Sequence, residues 1–111
     1  MRYLPVMLDL QGRKVVVIGT TEAADRRAEQ LARAGAQVTR LKGTTSPSFA
    51  DLMRDVPTGN CVEPAALAGA ALVFIAVEDA EAAACLAATA REARAPVHVL
   101  DRPDLSDFVM P

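Results

Sequence analysis

Four branched residues in a row, Val15–Ile18, end at Gly19 and run directly into a helical pattern. Nothing else in the chain constrains its fold as much. A run without polar alternation reads as a strand buried on both faces, which is the situation of a central parallel strand. Parallel neighbours need a crossover connection, usually a helix. Glu22–Ala34 supplies one: Ala24, Ala28, Leu31 and Ala32 share a face. Glu22/Arg26 and Glu29/Arg33 stand in the favourable i,i+4 order, and Gly35 suits the position after the helix. Gln37–Leu41 then reads as a second strand.

The same alternation returns later. Leu72–Ala76 is predicted as a strand. Asp79–Ala93 is predicted as a helix, with acids at its start, Arg91 and Arg94 at its end, and Pro96 to stop it. Val97–Leu100 is predicted as a further strand. Between the two halves, Gly43 to Pro47 reads as loop and Ser48–Arg54 as a short helix capped by Ser48. The stretch 57–60 reads as a turn and Cys61-Val62 as a brief edge strand. Alternating strands and helices make βαβ units. The expected fold is α/β: one Rossmann-like three-layer sandwich over residues 1–111, with a mostly parallel sheet and Tyr3–Leu8 as an extended flank. A chain of 111 residues with 51% hydrophobic and 23% charged residues has the material for such a core.

Charge and composition remove several function classes. A net charge of −2 leaves no basic excess to hold a phosphate backbone, so no nucleic-acid partner is expected. No apolar run approaches the roughly 20 residues of a membrane span, and the polar opening does not read as a secretory segment. Cys61 and Cys85 lie far apart and are expected reduced, in a cytoplasmic protein. The single histidine, His98, and the absence of a C-x-x-C pair argue against a metal site. No G-x-S-x-G elbow is present.

A parallel sheet binds ligands beyond the carboxyl ends of its strands. That rule points to four loops: Gly19–Ala23, Leu41–Thr45, Val77–Asp79 and Asp101–Asp104. The first reads Gly19-Thr20-Thr21-Glu22-Ala23-Ala24, against the dinucleotide fingerprint G-x-G-x-x-G/A. Gly19 and the small Ala24 match, whereas Thr21 stands at the second glycine. On residues alone the loop is either an altered fingerprint or a plain strand–helix turn with a threonine cap. The ribose-binding acid expected about 20 residues on is replaced by Arg40 and Lys42. These either accept a 2′-phosphate, pointing to NADP, or are solvated charges at a strand end.

Leu4-Pro5-Val6-Met7-Leu8-Asp9-Leu10 and Gly12-Arg13-Lys14-Val15-Val16-Val17-Ile18-Gly19 resemble the opening of siroheme synthase N-terminal domains. The likeness continues through Ala24-Asp25-Arg26-Arg27, Leu31–Thr39 and Phe74-Ile75-Ala76. It ends with Val97-His98-Val99-Leu100-Asp101 and Asp107-Phe108-Val109-Met110-Pro111. Nearly the whole chain is covered in order. Members of that family are precorrin-2 dehydrogenases, some of which are also sirohydrochlorin ferrochelatases. The resemblance implies oxidation of the tetrapyrrole precorrin-2 to sirohydrochlorin, with hydride passed to NAD. It implies that Gly19, Glu22, Ala23, Gly43 and Thr44 hold the cofactor, with the loop positions Thr20, Thr21 and Val77 beside them. It also implies a catalytic role for Asp101, as base for the proton that accompanies hydride loss.

The sequence departs from the family in places. Thr20 and Thr21 replace two glycines, Val77 replaces a threonine, and His98 replaces an asparagine. A lone histidine in an apolar strand reads better as a satisfied core residue than as a proton shuttle. The family continues into a dimerisation region that completes the tetrapyrrole cleft, which leaves a homodimer as an expectation. The other reading of the departures is a non-catalytic Rossmann relative that serves as a binding module.

Overall fold

The computed structural model describes residues 2–41 and 64–110. The readings made on Gly43–Pro47, Ser48–Arg54, 57–60 and Cys61-Val62 lie outside these residues. Four parallel strands are described: β1 (Lys14–Ile18), β2 (Gln37–Leu41), β3 (Leu72–Ile75) and β4 (Val97–Val99). Their order is β2-β1-β3-β4, so β1 lies inside the sheet, as its sequence requires. The helices are α1 (Glu22–Arg33), the single-turn α2 (Pro64–Leu67) and α3 (Ala80–Glu92). A 3-10 turn follows at Pro103–Leu105.

The pleat divides the core in two. Val15, Val17, Leu72 and Phe74 face Ala24 and Leu31 of α1. Val16, Ile18, Val73, Ile75, Val97 and Val99 face Ala83, Leu86, Ala87 and Ala90 of α3. All four branched residues of β1 are fully buried, which is the two-faced burial inferred from their run. Helices on both faces give the three-layer α/β sandwich expected. α1 packs over β1 and β2, and α3 over β3 and β4.

Element ends differ from expectation by a residue. Ala34 caps α1 rather than continuing it. Asp79 stands outside α3 as its N-cap, with Oδ2 accepting from the Ala82 amide at 2.9 Å. Before Pro96 is reached, α3 ends at the Ala93 cap and Arg94 turns left-handed at φ 57°. β3 stops at Ile75 and β4 at Val99. Of the two anticipated ion pairs on α1, Glu29–Arg33 forms, and Glu22–Arg26 is not among the ion pairs of the described residues. The short α2 was not expected. It is tied to β1 by Lys14 Nζ, which donates to the carbonyls of Ala66 (2.9 Å) and Ala68 (3.1 Å).

The outer edge of β4 is closed by side chains acting as a strand. Asp107 Oδ2 accepts from the Val97 amide at 3.1 Å, and the Asp107 amide donates to the Val97 carbonyl at 2.7 Å. Ser106 Oγ accepts from the Val99 amide at 2.9 Å and donates to the Arg102 carbonyl. Unpaired edge groups are thereby satisfied without another strand. The same segment brings Phe108 and Met110 against the α1-side core.

Candidate dinucleotide site at the carboxyl edge of the sheet

β1 has neighbours reached in opposite directions, β2 on one side and β3 on the other. The crevice beyond its carboxyl end is therefore the switch point where such sheets bind ligands. Gly19 forms the turn there. Its φ is 138°, and a Cβ on it would lie 2.4 Å from the Ala76 carbonyl oxygen. The Gly19 amide donates to the Leu41 carbonyl at 2.8 Å, joining the ends of β1 and β2. Ala24, in the third fingerprint position, is fully buried behind this turn. These two positions do what a dinucleotide loop needs of them, a tight turn and close packing of helix on strand.

Thr21 resolves differently from the steric difficulty its side chain suggests. Its backbone is extended (φ −78°, ψ 163°), a conformation that needs no glycine. Its hydroxyl caps α1, accepting from the Ala24 amide at 3.2 Å, and lies 3.4 Å from the Ala76 carbonyl as donor. The hydroxyl is thus directed at the helix and at the end of β3. Thr20 and Glu22 are exposed and Ala23 half-buried. The amides of Glu22 and Ala23, in the first turn, have no partner within the helix. A glycine turn that a Cβ would fill, with first-turn amides beyond it, fits a diphosphate.

Arg40 is not the free solvated charge that one reading made it. Its Nη1 donates to Asp25 Oδ1 and its Nη2 to the Gly19 carbonyl, both at 2.9 Å. It clasps the glycine turn to α1 and β2. Val77 is half-buried, with its side chain packed on the α3-side core and not directed into the crevice as a free group. Gly43, Thr44 and Lys42 lie outside the described residues.

Asp101 follows β4 on the same edge of the sheet, separated from the Gly19 turn by β3. It is exposed and left-handed, with φ 60°. The flanking amides fix it: Leu100 N donates to the Ile75 carbonyl and Arg102 N to the Val99 carbonyl. Arg102 Nη2 also donates to the Glu78 carbonyl at 3.2 Å, tying the loop after β4 to the loop after β3. The structure therefore brings the first-loop residues, Val77 and Asp101 to one sheet edge.

His98 behaves as a structural residue. Its Nδ1 lies 3.0 Å from the Phe108 carbonyl, which can only accept, so Nδ1 carries the proton. The ring stands edge-on to Phe74, with centroids 5.5 Å apart.

A groove of about 370 Å³ beside α1 was not anticipated. Val17, Phe74, His98 and Leu100 line its floor, and Arg26 and Arg27 line its wall. The Arg27 guanidinium lies 5.4 Å over the Phe74 ring. One signal for it was available. His98 and Leu100 alternate with the α3-facing Val97 and Val99, and a short segment with a single 3-10 turn, in place of a long helix, follows them. Among the described residues no metal-holding cluster exists, and no helix is long and apolar enough to cross a membrane.

Sheet order, glycine turn and helix cap together define a Rossmann-type dinucleotide-binding domain. Comparison with known proteins agrees: residues 6–111 match a family model described as "Putative NAD(P)-binding". The chain belongs to that NAD(P)-binding family. It is also similar over its whole length to the siroheme synthases of Thiobacillus denitrificans (39% identical) and Nitrosomonas europaea (36%), and covers 24% of each. It therefore spans about a quarter of the length of the curated relatives it matches. Among solved structures, "SirC, precorrin-2 dehydrogenase" aligns with a TM-score of 0.60 at 21% identity, over 98% of this chain and 55% of that one. At that identity the likeness shows the fold. The resemblance to the siroheme synthase N-terminal domain read from the sequence is borne out.

Proposed function

We propose that this chain is the dehydrogenase domain of a siroheme-forming protein and oxidises precorrin-2 to sirohydrochlorin. The reaction removes a hydride and a proton from the tetrapyrrole. A nicotinamide dinucleotide supplies the hydride-accepting chemistry when bound. The glycine turn and the first-turn amides of Glu22 and Ala23 would hold its diphosphate, while Thr20, Thr21 and Val77 border it. NAD is the form the family resemblance implies. Asp101 takes the proton.

The observation that carries this reading is the placement of Asp101. A carboxylate exposed on the same sheet edge as the glycine turn, and held there in a left-handed turn, supports that role. Aspartate and asparagine both tolerate this conformation, so Asp101→Asn leaves the turn intact. Precorrin-2 oxidation in the full chain, followed by the appearance of sirohydrochlorin absorbance, should fall by about 10²–10⁴-fold in that variant. Dinucleotide affinity should not change. Undiminished turnover in Asp101→Asn would remove the assignment.

A further inference from the structure

In NAD sites of this fold an acidic side chain near the end of β2, about 20 residues after the first glycine, bonds the adenosine ribose. Here no acidic residue occurs between Glu29 and Asp51, and Arg40 holds that neighbourhood. Its guanidinium has a defined place: Nη2 is 2.9 Å from the Gly19 carbonyl, at the turn where the nucleotide must pass. The side chain remains 37% exposed, so a ligand in the crevice can reach it. Its counter-ion, Asp25, is 66% exposed, and an exposed pair of this kind is loosely held. A guanidinium has five donors in a planar fork that matches a phosphate, and among the described residues two of them engage protein oxygens.

We propose that Arg40 reads a 2′-phosphate, so that the chain takes NADP in preference to NAD, and that Asp25 holds Arg40 in place until the phosphate displaces it. The inference rests on the dinucleotide reading and departs from the NAD that the family resemblance implies. It requires no catalysis to test. Calorimetric titration of the full chain with NADP, NAD, adenosine 2′,5′-bisphosphate and 5′-AMP measures it directly. NADP should bind about tenfold or more tighter than NAD, and the bisphosphate should exceed 5′-AMP by a similar factor. Arg40→Gln should bring the NADP:NAD ratio to about one, with circular dichroism confirming the fold, and Arg40→Lys should keep part of the preference. Asp25→Asn, which frees the guanidinium without touching it, should tighten NADP alone. NAD binding equal to or tighter than NADP overturns the inference and leaves the dinucleotide reading standing. A folded chain that binds neither overturns both.

Discussion

Gly19 is the residue on which the candidate site turns, and two independent constraints hold it. Its φ of 138° is strained for any side chain, and a Cβ would sit 2.4 Å from a backbone oxygen of β3. Neither constraint can relax by moving a flexible group. Gly19→Ala should lose at least about 1–3 kcal/mol of stability from the backbone strain alone. Gly12, also left-handed at φ 72°, has nothing within 4 Å of a Cβ. Gly12→Ala should cost about 1–2 kcal/mol. Urea unfolding of the two variants measures the difference, and equal losses would show that the Ala76 contact is unimportant. Thr21 is constrained more lightly. Thr21→Gly should lose only a few tenths of a kcal/mol and Thr21→Ala about 1, because glycine is itself a tolerable cap. Since the hydroxyl is already directed at α1 and β3, dinucleotide affinity in Thr21→Gly should rise by less than about tenfold. A larger gain by calorimetry would mean that the side chain obstructs the crevice.

At the scale of elements, β4 is the instructive strand. It is only three residues long and ends the sheet order, yet its outer edge carries no open ladder where Ser106 and Asp107 meet it. Val97 is fully buried, so removing the carboxylate that its amide reaches leaves a buried donor unpaired. Asp107→Ala should cost about 1–3 kcal/mol for that reason. The exposed Arg91, 3.8 Å from Asp107, adds little. Thermal unfolding of Asp107→Ala beside Arg91→Ala separates the two contributions; comparable losses would place the stabilisation in the ion pair. α1 shows the converse case. Its start and most of its inward face follow from sequence spacing, since Thr21, Ala24, Ala28 and Leu31 fall where a cap and an apolar stripe belong, whereas Ala32, read onto the same face, is exposed. Its Glu22/Arg26 spacing does not produce an ion pair, whereas the Glu29/Arg33 spacing does, although both of those side chains are exposed too; spacing alone does not decide whether an exposed pair closes.

For the whole molecule, the division of the core between two faces sets where stability resides. Leu86 is fully buried in the α3-side cluster, whereas Met7, in the extended flank, is 101% exposed. Leu86→Ala should therefore cost about 2–5 kcal/mol. Met7→Lys should change stability by no more than about 0.5 kcal/mol. Chemical denaturation of both checks the assignment, and a large loss in Met7→Lys would show that the flank packs in solution. The same two-faced arrangement accounts for the groove beside α1: α1 lies chiefly over β1 and β2, and Phe108 and Met110 pack against the α1-side core that it shares with Leu72 and Phe74.

The unbroken branched run of β1 required a strand buried on both faces, and that requirement led to parallel pairing, crossover helices and a glycine turn at the strand's end. Those steps rest on local periodicity and backbone sterics, which residues four or fewer apart already express. Asp101 was likewise placed on the correct edge by its position after a strand. What Arg40 and Ser106–Asp107 do, and the second contact that Thr21 makes beyond its cap, could not be read this way. Each acts through a partner distant in sequence: Thr21 on Ala76, Arg40 on Gly19 and Asp25, Asp107 on Val97. Whether a polar side chain is solvated, a cap or a clasp depends on which backbone groups the packed sheet brings within about 3 Å of it. Only the tertiary structure decides that.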